Sequence, residues 1–103
     1  HYDLDRPLVI TETGADAPAG RRSNQGALFS EDQMLACYEA QFKTIAGVDA
    51  VKGFCPWILY DFRTERRKNS FQHGYNRKGL IDKDKETKKL AFTALQRFYR
   101  EDW

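Results

Sequence analysis

Apolar residues fall into four blocks along the chain, and each block has its own period. The first, Leu8-Val9-Ile10-Thr11, is short and β-branched, follows Pro7, and predicts a strand. The second opens at Ser30, a natural N-cap, with Gln33 three residues on to complete a capping box and Phe29 and Met34 placed as a hydrophobic staple. Leu35, Tyr38, Phe42 and Ile45 continue it at helical spacing, and Gly47 is expected to end the helix as its C′ residue. The third, Val51 to Leu59, is continuously apolar, as a strand covered on both faces would be. Pro56 removes a ladder donor there and predicts a bulge or an edge. The fourth predicts a helix from about Thr87, its expected cap, to Arg100, burying Leu90, Ala91, Ala94, Leu95, Phe98 and Tyr99.

The polar stretches between these blocks are unequal. Asp16 to Leu28 is rich in Ala, Pro, Gly, Ser and Asn and is long for a plain connection, a length at which loops are often functional. Glu12 ends the first apolar run, with Gly14 two residues later. Two readings fit it: a solvated carboxylate after a strand, or a charged group at the C-terminal mouth of a buried strand, where α/β folds place their chemistry.

With 103 residues there is room for one domain and a modest core. An apolar share of 41% and a charged share of 31% describe a soluble globular chain, and no run reaches the roughly 18–20 apolar residues of a membrane span. No membrane partner is therefore expected. No signal peptide opens the chain, and its start at His1 rather than Met suggests an excised piece or a tag scar. Cys37 and Cys55 lie in apolar segments without metal-ligand spacing and are expected to be buried free thiols. No metal or cofactor is expected.

A net charge of +2 does not by itself point to nucleic acid. Arg63, Arg66, Arg67 and Lys68 nevertheless crowd one segment, followed by Arg77 and Lys78 and interleaved with Tyr60, Phe62, Phe71 and Tyr75. Such a mixture suits a phosphate backbone with stacked bases, a small ligand bearing a carboxylate, or a merely solvated loop.

The fold class is thus α/β, as two consecutive βα units. Two parallel strands with two helices leave both sheet edges unpaired. Eight such units take about 250 residues in a closed barrel, so the chain reads as a quarter of something larger.

Four segments, in order, carry a resemblance to one family. Ile10-Thr11-Glu12-Thr13-Gly14-Ala15-Asp16, Trp57-Ile58-Leu59-Tyr60-Asp61-Phe62, Gly74-Tyr75-Asn76-Arg77-Lys78-Gly79-Leu80 and Lys88-Lys89-Leu90-Ala91-Phe92 resemble the end of the catalytic (β/α)8 TIM barrel of glycoside hydrolase family 2, which includes β-glucuronidases and β-galactosidases. The resemblance covers nearly all of 1–103 and implies strands seven and eight with their helices, the last quarter of the barrel. It implies a carbohydrate substrate, Glu12 as catalytic nucleophile and Trp57 as an apolar wall of the sugar subsite. Asn76 and Lys78 are implied to hold the carboxylate of a uronic acid, for which an ammonium and an amide are both suitable donors. Their alternative is to shape the turn before Gly79. Arg63, Arg66 or Arg67 would strengthen such an anion site, and Tyr60 and Asp61 are weaker substrate-binding candidates that read first as structural supports.

A retaining glycosidase needs two carboxyl groups roughly 5–5.5 Å apart. Glu31, Glu39, Glu65, Glu86 and Glu101 fall on helices or loops away from Glu12, and the Asn-Glu pair that holds the family's acid/base is missing from the sequence. Thr13 also departs from the family, which has a bulky residue there. The expectation is therefore half of a catalytic pair, inactive alone, belonging to a retaining exo-glycosidase that hydrolyses β-linked glycosides and favours glucuronides. Its partners would be the remainder of the barrel or other copies of the chain, with no nucleic acid. The rival reading is a small basic α/β module that binds single-stranded nucleic acid or another polyanion.

Overall fold

The computed structural model describes residues 5–103. Strand β1 (Leu8–Ile10) leads through a long loop to helix α1 (Glu31–Ala46), which returns the chain to β2 (Val51–Phe54). The two strands pair in parallel, Leu8 opposite Val51 and Ile10 opposite Phe54, as the sequence pattern predicts. Gly53 is needed in this register, because a Cβ there would lie 2.9 Å from a methyl of Val9. Leu8 and Val9 remain largely exposed on β1.

Helix α1 starts where the sequence places it. The Ser30 hydroxyl accepts the Gln33 amide at 3.1 Å. Only half of the capping box forms, since the Gln33 side chain donates instead to the Cys37 sulfur at 3.3 Å. Phe29 stacks on Phe71, with ring centroids 5.4 Å apart. Gly47 closes the helix in a right-handed conformation (φ −86°) rather than the left-handed one expected of a C′ glycine. Met34, Tyr38, Phe42 and Ile45 form the buried face.

The expected second strand is shorter than its apolar run. It ends at Phe54, and Cys55 to Leu59 follow as irregular backbone, with a cis bond between Trp57 and Ile58. Pro56 marks that break. Cys55 is consequently exposed, not buried, while Cys37 is half-buried; both thiols are free. The basic segment contains a small antiparallel hairpin that the pattern does not announce, β3 (Phe62–Arg63) on β4 (Tyr75–Asn76).

The final helix, α2 (Leu90–Arg97), starts three residues later than expected and continues as a π-helical turn over Phe98–Asp102. Thr87 is not its cap: the Thr87 hydroxyl donates to Asp84 at 2.5 Å. Phe98 completes the core by stacking on Phe42, with centroids 4.4 Å apart and planes nearly parallel. The α1 and α2 faces thereby close over Val51, Phe54 and Leu80. Among the described residues, no helix is long and apolar enough to cross a membrane.

Candidate active site

Three segments meet beyond the C-terminal ends of β1 and β2, and main-chain hydrogen bonds lace them together. Cys55 N–H donates to Ile10 O at 2.8 Å and Trp57 N–H to Thr13 O at 2.6 Å, so the backbone beside Glu12 is tied to the backbone of Trp57. Gly14 permits this approach, since a Cβ on it would collide with the Trp57 carbonyl oxygen. Ile58 N–H in turn donates to Lys78 O at 3.1 Å, and Leu80 N–H returns to Ile58 O at 2.9 Å. Glu12, Trp57 and Lys78 therefore stand on one continuous scaffold although they are far apart in sequence.

The side chains on that scaffold differ in access. Glu12 is exposed two residues past β1. Trp57 is 37% exposed, and its ring meets Phe62 edge-on at 6.2 Å. Asn76 is buried, and its Oδ1 accepts the Lys78 amide at 2.9 Å, so it shapes the turn through its oxygen. Tyr60 is half-buried beside Ile81, with the Lys85 ammonium 5.7 Å from its ring centre. Arg63 is exposed on β3.

Asp61 stands apart from these. Its side chain is fully buried, with Lys89 Nζ at 2.7 Å, Gly79 N–H at 2.8 Å and Arg77 Nη1 at 3.5 Å. These partners take up the carboxylate, and neither it nor the Lys89 ammonium is open to solvent. Burial pushes its carboxyl above the ordinary range, against the hydrogen bond and charge of Lys89, which pull it down. The Lys89 ammonium is likewise lowered by burial, with Asp61 opposing.

Two residues without an expected role organise the cations. Asp16 accepts from Gln72 Nε2 at 2.5 Å, and its two oxygens face Arg67 Nη1 at 3.6 Å and Lys78 Nζ at 3.9 Å. Lys89 adjoins Lys88 in the sequence and looks solvated there, yet its side chain is fully buried. Both lie in segments that carry the resemblance, but no local pattern announces their ion pairs, because the partners are distant in sequence.

The basic segment is only partly the open platform that the nucleic-acid reading requires. Arg77 is buried against Asp61 and Asp82, Lys68 pairs with Glu65, and Arg67 and Lys78 face Asp16. The Phe71 ring is occupied by Phe29 and by the Arg21 guanidinium. Arg63, Arg66 and Lys68 remain exposed, so the shielding is confined to Arg77 and, in part, to Arg67 and Lys78. A separate cleft of about 290 Å³, lined by Ile10, Thr13, Ala40, Gln41, Thr44, Ile45 and Phe54, shares only Thr13 with the loop that follows β1.

No protein-family model matches the chain. Several proteins it is similar to are nevertheless glycoside hydrolases. A β-glucuronidase from Streptococcus agalactiae is 29% identical over 87 residues, which cover 84% of this chain and 14% of that enzyme. The Rattus norvegicus β-glucuronidase is 27% identical over 97 residues, 92% of this chain and 15% of that enzyme. Among solved structures, a GH2 β-galacturonidase from Eisenbergiella tayi bound to galacturonate superposes with a TM-score of 0.80 at 27% identity, over 91% of this chain and 17% of that one. Faecalibacterium prausnitzii β-glucuronidase gives 0.80 at 26% identity, over 92% and 16%. The chain thus spans about a seventh of the length of the curated relatives it matches.

Proposed function

We propose that this chain is the strand-seven to helix-eight portion of the catalytic barrel of a retaining β-glycosidase that prefers uronides. The observation that carries the proposal is the lacing of Thr13 to Trp57 and of Ile58 to Lys78, which puts a carboxylate, an indole and an ammonium on one end of the parallel pair. Similarity to two β-glucuronidases and to a galacturonidase bound to its sugar acid supports the same class.

In this reading Glu12 attacks the anomeric carbon, and the bond to the leaving oxygen breaks as a second carboxylic acid protonates it. Water then releases the sugar as that second group takes a proton. Exposed Glu12 is poised for the first role, and the acid/base belongs to the remainder of the barrel. The chain alone is accordingly inactive. Trp57 forms the apolar wall of the sugar subsite. Lys78 and the amide nitrogen of Asn76 donate to the sugar carboxylate, and Arg67, which shares Asp16 with Lys78, adds a second cation. The edge of β1 away from β2, unpaired among the described residues, is where a further strand of the barrel would add its hydrogen bonds.

The test is made in the full-length protein with an aryl β-glucuronide. Glu12→Gln is expected to lower kcat by about 10³-fold or more with far-UV circular dichroism unchanged. NMR of the first-formed sugar is expected to show the β anomer. Turnover close to wild type in Glu12→Gln, or an α-configured first product, would overturn the assignment.

A further inference from the structure

Lys78 is held along its backbone from both sides. Its own amide donates to Asn76 Oδ1 at 2.9 Å, and its carbonyl accepts from Ile58 at 3.1 Å. The preceding carbonyl, that of Arg77, accepts Lys89 Nζ at 3.0 Å, and the following amide, that of Gly79, donates to Asp61 Oδ1 at 2.8 Å. Lys89 and Asp61 are in turn bonded to each other at 2.7 Å, and neither side chain is exposed. Gly79 comes so close to Asp61 that a Cβ would collide with its backbone nitrogen. The pair therefore grips the peptide units immediately before and after Lys78, whose own side chain is partly open to solvent.

A buried ion pair contributes little to stability by itself, since desolvating both charges offsets much of their attraction. Here each partner also satisfies a backbone group that flanks Lys78, which is the geometry of a specificity device. We propose that Lys89 and Asp61 are positioning residues for Lys78, fixing where its ammonium meets an anionic sugar substituent without touching the sugar themselves. The proposal rests on the uronide reading for its substrate and on the hydrogen bonds for its structural content.

The experiment uses the full-length protein carrying Asp61→Asn together with Lys89→Met. Both charges leave at once, so neither partner is left unpaired; buried Arg77 keeps Asp82 at 3.3 Å, and the carboxamide that replaces the Asp61 carboxylate retains an acceptor for Gly79. Two readouts are taken. Hydrogen exchange at the Lys78 and Ile58 amides is expected to quicken by about tenfold or more while the α1 amides keep their protection. The ratio of kcat/KM for an aryl β-glucuronide over that for an aryl β-galactoside is expected to fall about tenfold, through KM of the glucuronide. Unchanged exchange at Lys78 and Ile58, or an equal loss on both substrates, would overturn the positioning role. A parallel Lys78→Met variant separates the two ideas. If it leaves the substrate ratio untouched, the uronide reading falls, and the exchange data alone then decide whether the pair holds Lys78. If the double variant does not fold, Lys89→Arg, which keeps the charge and changes its geometry, is judged by the same two readouts.

Discussion

Glu31 Oε1 accepts the amide of Leu90 at 2.7 Å, across 59 positions of sequence, so a residue in the first turn of α1 caps the start of α2. The other oxygen of the same carboxylate accepts the Gly20 amide at 2.6 Å. One buried side chain thus joins two helices and the long loop after β1, replacing the Thr87 cap that the local sequence predicts. Glu31→Ala leaves two amides without acceptors, at about 1–2 kcal/mol each. Urea unfolding should show a stability loss of about 2–4 kcal/mol on that basis, and a loss below the error of the fit would contradict the capping role.

Two carboxylates, half-buried Asp32 and exposed Asp84, contribute to the acid side of the stability profile. Asp32 is lowered to about 2 from an ordinary 3.8, mainly by its hydrogen bond from Arg22 and then by the Ser23 amide. Asp84 is also lowered to about 2, chiefly by the Thr87 hydroxyl and then by the Thr87 and Glu86 amides. Both fold with their charged forms favoured, so their contribution is fully present above the unfolded value. It is lost as pH falls through the folded value of about 2. Thermal melts taken stepwise from about pH 5 to about pH 2, a window that brackets those carboxyls, should show a smaller acid-induced drop for Asp32→Asn than for wild type. Parallel curves would exclude the Arg22–Asp32 contribution.

Gly79 is constrained by space and not by backbone conformation. Its missing Cβ would meet Asp61 Oδ1 at 2.5 Å as well as the Asp61 backbone. Gly79→Ala is therefore expected to cost about 2 kcal/mol or more, because the obstructing atoms belong to a buried, bonded residue. A neutral result by chemical denaturation would show that this loop yields easily.

Substrate choice offers the sharpest check on the cations. Lys78→Met in the full-length protein should lower kcat/KM for an aryl glucuronide about 10- to 100-fold, and Arg67→Met by a smaller factor, with neutral hexosides much less affected. Equal losses on both substrate types would assign these residues to the fold.

What the sequence determined by itself is local. Ser30 and the helical spacing of Tyr38, Phe42 and Ile45 specify α1, because capping and a 3.6-residue period act within a few turns. The β-branched run of β1 and the resemblance around Glu12, Trp57, Asn76 and Lys78 are likewise written in consecutive residues. The tertiary structure decided the rest. It cut the second strand at Phe54, moved the start of α2 from Thr87 to Leu90 and turned Asp61 and Lys89 inward as a pair. It also gave Asp16 the task of gathering Arg67 and Lys78. A charged side chain can be buried only where distant residues supply its partners, and no spacing rule along the chain records which partners those are.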